Sequence, residues 1–193
     1  MNKMNILLAS ASPRRQELLA HITPDFAVCA ADVDEAAVVR AAPCGSPALL
    51  AQRLAEAKCR AVARTHPEAA VIGCDTVVDV DGVIFGKPQD PDDAQRMLRA
   101  LSGRVHLVHT GVFLCAGSRR TGFAETTRVH FAPLSDAEID AYTATDDPYD
   151  KAGAYGIQSG ASKFITGIEG CYFNVMGLPV ARLYAALREC GVL

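Results

Sequence analysis

Apolar positions along this chain follow two periods, and the switch between them marks out the secondary structure. Met4 to Ala9 is an apolar run that reads as a first strand. Ala69 to Cys74 is a short continuous apolar run, the pattern of a strand buried on both faces. Val77 to Phe85 contains Asp81-Gly82, a strong hairpin signal, and Val105 to Cys115 and Thr121 to Phe131 read as two longer strands joined around Gly117-Ser118. Between them the period lengthens to that of helices. Ser12 as cap and Pro13 as first residue start one helix, and Ser46-Pro47 starts another that runs to about Thr65, before His66-Pro67. Asp90-Pro91 opens a third, with Ala94, Met97, Leu98 and Leu101 as its apolar stripe and Gly103 as its end. Ser135-Asp136-Ala137-Glu138 is a capping box opening a helix to about Thr145. Val180, Leu183, Tyr184 and Leu187 mark a last helix closed by Gly191. From Asp147 to Gly177 glycine is dense, and this stretch reads as loop with a short strand, Lys163 to Ile168. Buried and hairpin strands with helices between them predict an α/β domain with a mixed sheet.

Composition narrows the class. The 193 residues suffice for one substantial domain or two small lobes sharing a core. Half are hydrophobic and a fifth charged, as in a compact globule. A net charge of −3 argues against a broad nucleic-acid or anionic-membrane surface but leaves room for a local basic cleft. The seven cysteines (29, 44, 59, 74, 115, 171, 190) are scattered without a CxxC pair, so they read as reduced core residues of a cytoplasmic protein. Lys3 is not followed by the apolar core of a signal peptide, and no apolar run approaches the ~20 residues of a membrane helix.

Within this frame several charged residues stand out. The strand–turn–helix around Ser10-Ala-Ser-Pro-Arg-Arg-Gln-Glu-Leu-Leu19 aims free N–H groups and a positive dipole end outward, and Arg14 and Arg15 add two permanent charges. Either a phosphate resolves that conflict or the arginines are simply solvated. On the helix from Pro47, Lys58 is the only charge of a face made by Leu50, Ala51, Leu54, Ala55, Ala57, Ala61 and Val62, so it either snorkels or enters a cleft. Asp75 follows the buried strand, where α/β sheets usually bind ligands, and could hold a divalent cation or take a proton from water, or else bond nearby turn backbone. Lys87, between Gly86 and Pro88, is a loop lysine outside any Walker pattern. Asp32-Val33-Asp34-Glu35 is an acidic loop able to complete a metal site. His106 and His109 would face opposite sides of a strand and carry no metal-ligand spacing. Cations for phosphate and carboxylates for a divalent metal together form the charge set needed to cleave a nucleoside triphosphate.

Taken with Gly73-Cys-Asp-Thr, Gly86-Lys-Pro, Leu101-Ser-Gly, Asp150-Lys-Ala-Gly-Ala-Tyr-Gly-Ile-Gln158 and Asn174-Val-Met-Gly-Leu-Pro, the first of these stretches resembles the Maf family over nearly the whole chain. The long Asp150–Gln158 run is the specific part. The resemblance implies a single two-lobed α/β domain over residues 1–193, with an elongated mixed sheet flanked by helices and a central cleft, similar to inosine triphosphatases. It implies hydrolysis of a nucleoside triphosphate to monophosphate and pyrophosphate with a divalent metal, Mg2+ or Mn2+. By position, Asp75 matches the family's proton acceptor, and Arg14, Thr76 and Gln158 match positions that set substrate choice. Ser10, Arg15, Lys58 and Lys87 match phosphate-cleft positions, and Asp34 or Glu35 the acidic metal-side position. The Ala-Gly-Ala-Tyr-Gly-Ile-Gln branch resembles dTTP/UTP pyrophosphatases; a 7-methyl-GTP pyrophosphatase, or a non-catalytic nucleotide-binding regulator of septum formation, are the rivals. The partner expected is a small nucleotide, with no nucleic-acid polymer and no membrane, and the resemblance is compatible with a homodimer.

Overall fold

The computed structural model describes residues 4–41 and 45–193; Lys3 and Cys44, both weighed in the sequence, lie outside the described residues. Among the described residues seven strands form one sheet: β1 (Ile6–Leu8), β2 (Ala27–Val28), β3 (Ala70–Val80), β4 (Val83–Phe85), β5 (Val105–Ala116), β6 (Arg119–Phe131) and β7 (Ile165–Glu169). Their spatial order is β2-β1-β3-β5-β6-β7, with β4 paired to β3. β1 is parallel to β2 and β3, whereas β3–β4 and β6–β7 are antiparallel, so the sheet is mixed as expected. The helices that flank it are α1 (Pro13–Ala20), α2 (Glu35–Ala41), α3 (Pro47–Ala63), α4 (Pro91–Leu101), α5 (Asp136–Thr143), α6 (Tyr172–Met176) and α7 (Val180–Glu189), with 3-10 turns at Ala152–Ala154 and Gly160–Phe164.

Local chemistry accounts for most boundaries. Ser46, Asp90 and Ser135 each accept the backbone N–H three residues on, and Glu138 returns a bond from its carboxylate to the Ser135 N–H. Ser12 departs from expectation. Its hydroxyl caps nothing; instead its backbone N–H donates to Ser10 Oγ (3.3 Å), so the preceding serine holds the turn. A second correction concerns Asp75. It does not follow a strand end but lies inside β3, which continues to Val80. A carboxylate is tolerated in a buried strand because α3 supplies a lysine to meet it. Third, Glu35 is not in a plain acidic loop but starts α2, with Asp34 Oδ1 accepting the Ala37 N–H (2.9 Å).

The chain divides into two compact units. The first comprises the residues through Asp75, Thr110–Glu125 and Gly177–Leu193. Its core includes Ala9, Ala55, Cys59, Val62, Val71, Phe113 and Cys115. Here the backbone of α3 lies close against β3 and β5, and the Gln52 side chain reaches β6. A Cβ on Gly73 of β3 would sit 2.1 Å from Ala55 O, one on Gly111 of β5 2.3 Å from Ala51 O, and one on Gly122 of β6 2.8 Å from Gln52 Nε2. Glycines in strands are costly in entropy, and this is what they permit: a helix axis set deep against the sheet.

The second unit comprises Thr76–His109 and Thr126–Met176. The α4 stripe Ala94, Met97, Leu98 and Leu101 packs with Val78, Val108, Val129 and Phe131. Tyr155 stands edge-on to Phe131 and His106, and its hydroxyl lies 2.7 Å from His106 Nε2. Buried Asn174 donates from Nδ2 to Val108 O (3.0 Å) and Thr127 Oγ1 (2.9 Å), tying α6 to two strands. As expected, His106 and His109 point to opposite faces, but both are buried.

Candidate active site

In the first unit the candidate residues converge on Lys58. Gly73 and Asp75 are two residues apart on β3 and face the same way. Since Gly73 seats α3 at Ala55 and Cys59, the neighbouring Lys58 is carried to Asp75, and its Nζ lies 2.5 Å from Asp75 Oδ1. The same Nζ is 2.7 Å from Glu35 Oε1, delivered by the first turn of α2, which packs on α3. The Lys58 and Asp75 side chains are 13% and 12% exposed, so this is a sheltered pair rather than a surface one. Lys58 therefore does not snorkel. Burial works against its charge, but the carboxylates of Asp75 and Glu35 outweigh that and raise its pKa above the ordinary lysine value. Cys59, which falls outside the apolar face drawn from the sequence, is fully buried, because the glycine seat rotates that face toward it.

Of the two acids that the sequence left open, only Glu35 joins this group. Asp34 caps α2 and lies 3.7 Å from Arg40. Glu35 and Asp75 thus bring carboxylate oxygens to a single cation, here the Lys58 ammonium. Hard oxygen donors of this kind fit Mg2+ or Mn2+, which commonly take one or two carboxylates and complete their shell with substrate phosphate and water. Among the described residues no cluster of three or more His, Cys, Asp or Glu side chains forms a self-sufficient metal cage.

Beside this group the β1–α1 turn presents Ser10 and the two arginines. Arg15 donates from Nε to Gly177 O (3.0 Å) and from Nη1 to Ser10 Oγ (3.2 Å). Ser10 Oγ thereby accepts twice, from Arg15 and from Ser12 N–H, which leaves its one hydroxyl proton to donate. Gly177 O also accepts from Cys74 Sγ (3.1 Å), so Asn-Val-Met-Gly-Leu-Pro anchors the arginine that the sequence singled out. Burial, the largest influence, pushes the Cys74 thiol up to about 11 and keeps it inert. Arg14, one residue earlier, is half-buried in the same first turn.

The remaining candidates belong to the second unit. Thr76 is half-buried on β3 and points away from the Asp75 face. Lys87 is exposed in the loop after β4. Gln158 is exposed at the turn that closes the glycine-rich loop. Lys87 and Gln158 sit on two loops that are joined directly, since the Gly153 N–H donates to Gly86 O (3.0 Å). Gly153 has φ 73°, and a Cβ there would press on Val78 at 3.0 Å, so both its conformation and its lack of side chain are used. Neither Asp147 nor Gly73 carries a site role in the sequence reading. Asp147 ties down the Gln158 loop, and Gly73, there only the first residue of the Gly-Cys-Asp-Thr motif, is a glycine inside an apolar strand, the usual mark of close backbone approach.

The family model described as Maf-like protein matches residues 5–190. The dTTP/UTP pyrophosphatase of Koribacter versatilis is 50% identical over 190 residues, covering 98% of this chain and 96% of its own length. That of Carboxydothermus hydrogenoformans is 48% identical, covering 97% of this chain and all of its own. Among solved structures, the Ham1 proteins of Staphylococcus aureus and Coxiella burnetii each share 15% identity at a TM-score of 0.54, over 96% of this chain and 98% and 99% of theirs. That likeness concerns the fold. A family match over nearly the whole length, with relatives at half identity, establishes that this chain belongs to the Maf family.

Proposed function

We propose that this protein hydrolyses nucleoside triphosphates, with dTTP and UTP preferred, to the monophosphate and pyrophosphate. The observation that carries the proposal is the sheltered Asp75–Lys58–Glu35 group beside Ser10 and Arg15, in a chain half identical to dTTP/UTP pyrophosphatases. Oδ1 of Asp75 is bonded to Lys58. The carboxylate takes a proton from a water in line with the α-phosphorus. The new P–O bond forms as the bond to the β-phosphate oxygen breaks and pyrophosphate leaves. Lys58, Lys87 and Arg15 offset the charge on the leaving group, and the Ser10 hydroxyl donates to a phosphate oxygen. Glu35 and Asp75 are the residues that would hold Mg2+ or Mn2+, which supplies charge neutralisation on the phosphates. Arg14, Thr76 and Gln158 place the base. The Gln158 amide both donates and accepts, as a pyrimidine edge carrying both functions requires.

The decisive assay is pyrophosphate release across dTTP, UTP, CTP, GTP, ATP and 7-methyl-GTP with Mg2+ or Mn2+. Expected is a preference for dTTP and UTP. Asp75→Asn should lower kcat by ~10²–10⁴-fold, the usual weight of a general base, with the fold retained. Asp75→Asn turning over at the wild-type rate would remove Asp75 from the role of base.

A further inference from the structure

Gln158 is exposed in a turn. What fixes its loop is a carboxylate eleven residues upstream. Asp147 Oδ2 accepts the Tyr142 hydroxyl (2.7 Å) and the Gly160 N–H (3.1 Å), and its Oδ1 is 3.0 Å from Lys151 Nζ. The same ammonium donates to Asp147 O (2.5 Å) and Asp150 Oδ1 (2.6 Å). One acid therefore grips α5 through Tyr142, the start of the loop through Lys151, and the residue two past Gln158 through Gly160. The packing is close as well. A Cβ on Gly156 would lie 2.4 Å from Ser159 Oγ and 2.8 Å from Lys151 Cε. At the far end Gly153 bonds Gly86 O, the residue before Lys87.

From this geometry we infer that Asp147 is a positioning residue for base selection, holding the turn that presents Gln158 in its binding conformation through Tyr142, Lys151 and Gly160. The inference rests on the proposed function and adds a residue that touches no substrate. A preorganised binding group avoids the ordering cost that a loose loop meets on each binding event. Tyr142 and Asp147 also stabilise each other. Burial raises the Tyr142 hydroxyl above its ordinary pKa, and the neighbouring carboxylate raises it further, so the phenol stays a donor at every physiological pH.

The test is a double-mutant cycle between Asp147→Asn and Gln158→Ala, measured on dTTP, UTP and ATP. Asparagine keeps the volume of Asp147 while removing its charge pairing with Lys151. Expected for Asp147→Asn is a KM for dTTP and UTP raised about tenfold, kcat changed less than threefold, and the margin over ATP reduced. In a Gln158→Ala background the same substitution should change kcat/KM by less than about twofold, because its route to the substrate has been removed. Additive losses in the cycle, or a loss confined to kcat, would overturn the inference. Tyr142→Phe, which deletes a single bond to Asp147, should show the same KM-weighted pattern in milder form; an unchanged KM there would count against it. If wild type releases no pyrophosphate from any nucleotide, the proposed function fails first. Amide hydrogen exchange at residues 156–159 then reads the positioning role alone: faster exchange in Asp147→Asn supports it and equal exchange refutes it.

Discussion

Replacing Gly73 by alanine puts the seat of α3 to a direct test. The added Cβ would stand 2.1 Å from Ala55 O and 2.7 Å from both Cys59 N and Cys59 Cβ. Two of the three obstacles are helix backbone, which cannot rotate away. Ordinary carbon–oxygen contact is about 3.4 Å, so α3 must retreat by roughly 1 Å, with the misfit of an overpacked core, ~1–3 kcal/mol. For a chain of this length that corresponds to a fall in Tm of roughly 2–12 °C. The retreat also draws Lys58 away from Asp75, to which its Nζ now bonds at 2.5 Å. A displacement of about 1 Å at a reacting group costs on the order of 100-fold in rate. Thermal melts followed by circular dichroism and kcat/KM for dTTP read the two effects separately. Gly167→Ala is the control: it adds a methyl to β7 where nothing lies within 4 Å, and should melt within about 2 °C of wild type. If Gly73→Ala melts with wild type and keeps its turnover, α3 is not held by this contact, and the account of how Lys58 reaches Asp75 is wrong.

Other expectations are narrower. Burial depresses the His106 imidazole to about 4, helped by the nearby His130, so the folded state binds this proton less readily than the unfolded chain. Its contribution to stability is complete above the unfolded value of 6.5 and declines as pH falls through that value toward 4, by about 3 kcal/mol in all. Denaturant titrations of His106→Phe and wild type should therefore converge with acidification between pH 6.5 and 4, and a constant gap would exclude the linkage. Chelation should abolish pyrophosphate release, and Mg2+ or Mn2+ should restore it. Glu35→Gln should raise the metal concentration giving half-maximal rate, whereas Asp34→Asn should leave it unchanged with little effect on helix stability, since asparagine caps as well as aspartate; the reverse pattern would exchange their roles. Ser135→Ala removes one half of a reciprocal cap and should cost ~1 kcal/mol in a chemical melt, a loss absent if α5 is held by packing alone.

Much of the architecture was legible because it is written in local chemistry. The caps at Ser46, Asp90 and Ser135, the hairpin at Asp81-Gly82 and the stripe of α4 are contacts between residues a few positions apart, and each appears where the pattern places it. The charged residues of interest were also visible, since a lysine on an apolar face and an aspartate beside a buried run break the period around them. Short elements were not: α2 spans seven residues and α6 five, too few for a period to emerge. Asp75 reads as following a strand because the continuous apolar run ends at Cys74, and a lone carboxylate within a buried strand is costly. The partner that makes it affordable sits 17 positions earlier, on a helix.

By itself, then, the sequence determined the alternation of strands and helices, the family and the residue types available for chemistry, all of them properties of neighbours or of whole motifs. Only the tertiary structure decided that Glu35 rather than Asp34 meets Lys58 and Asp75, that Ser10 rather than Ser12 holds the first turn, and that Asp147 governs the Gln158 loop. The physical reason is one of reach. Glu35 reaches Lys58 because α2 packs on α3, and α3 is seated by glycines at 73 and 111 that lie far away along the chain.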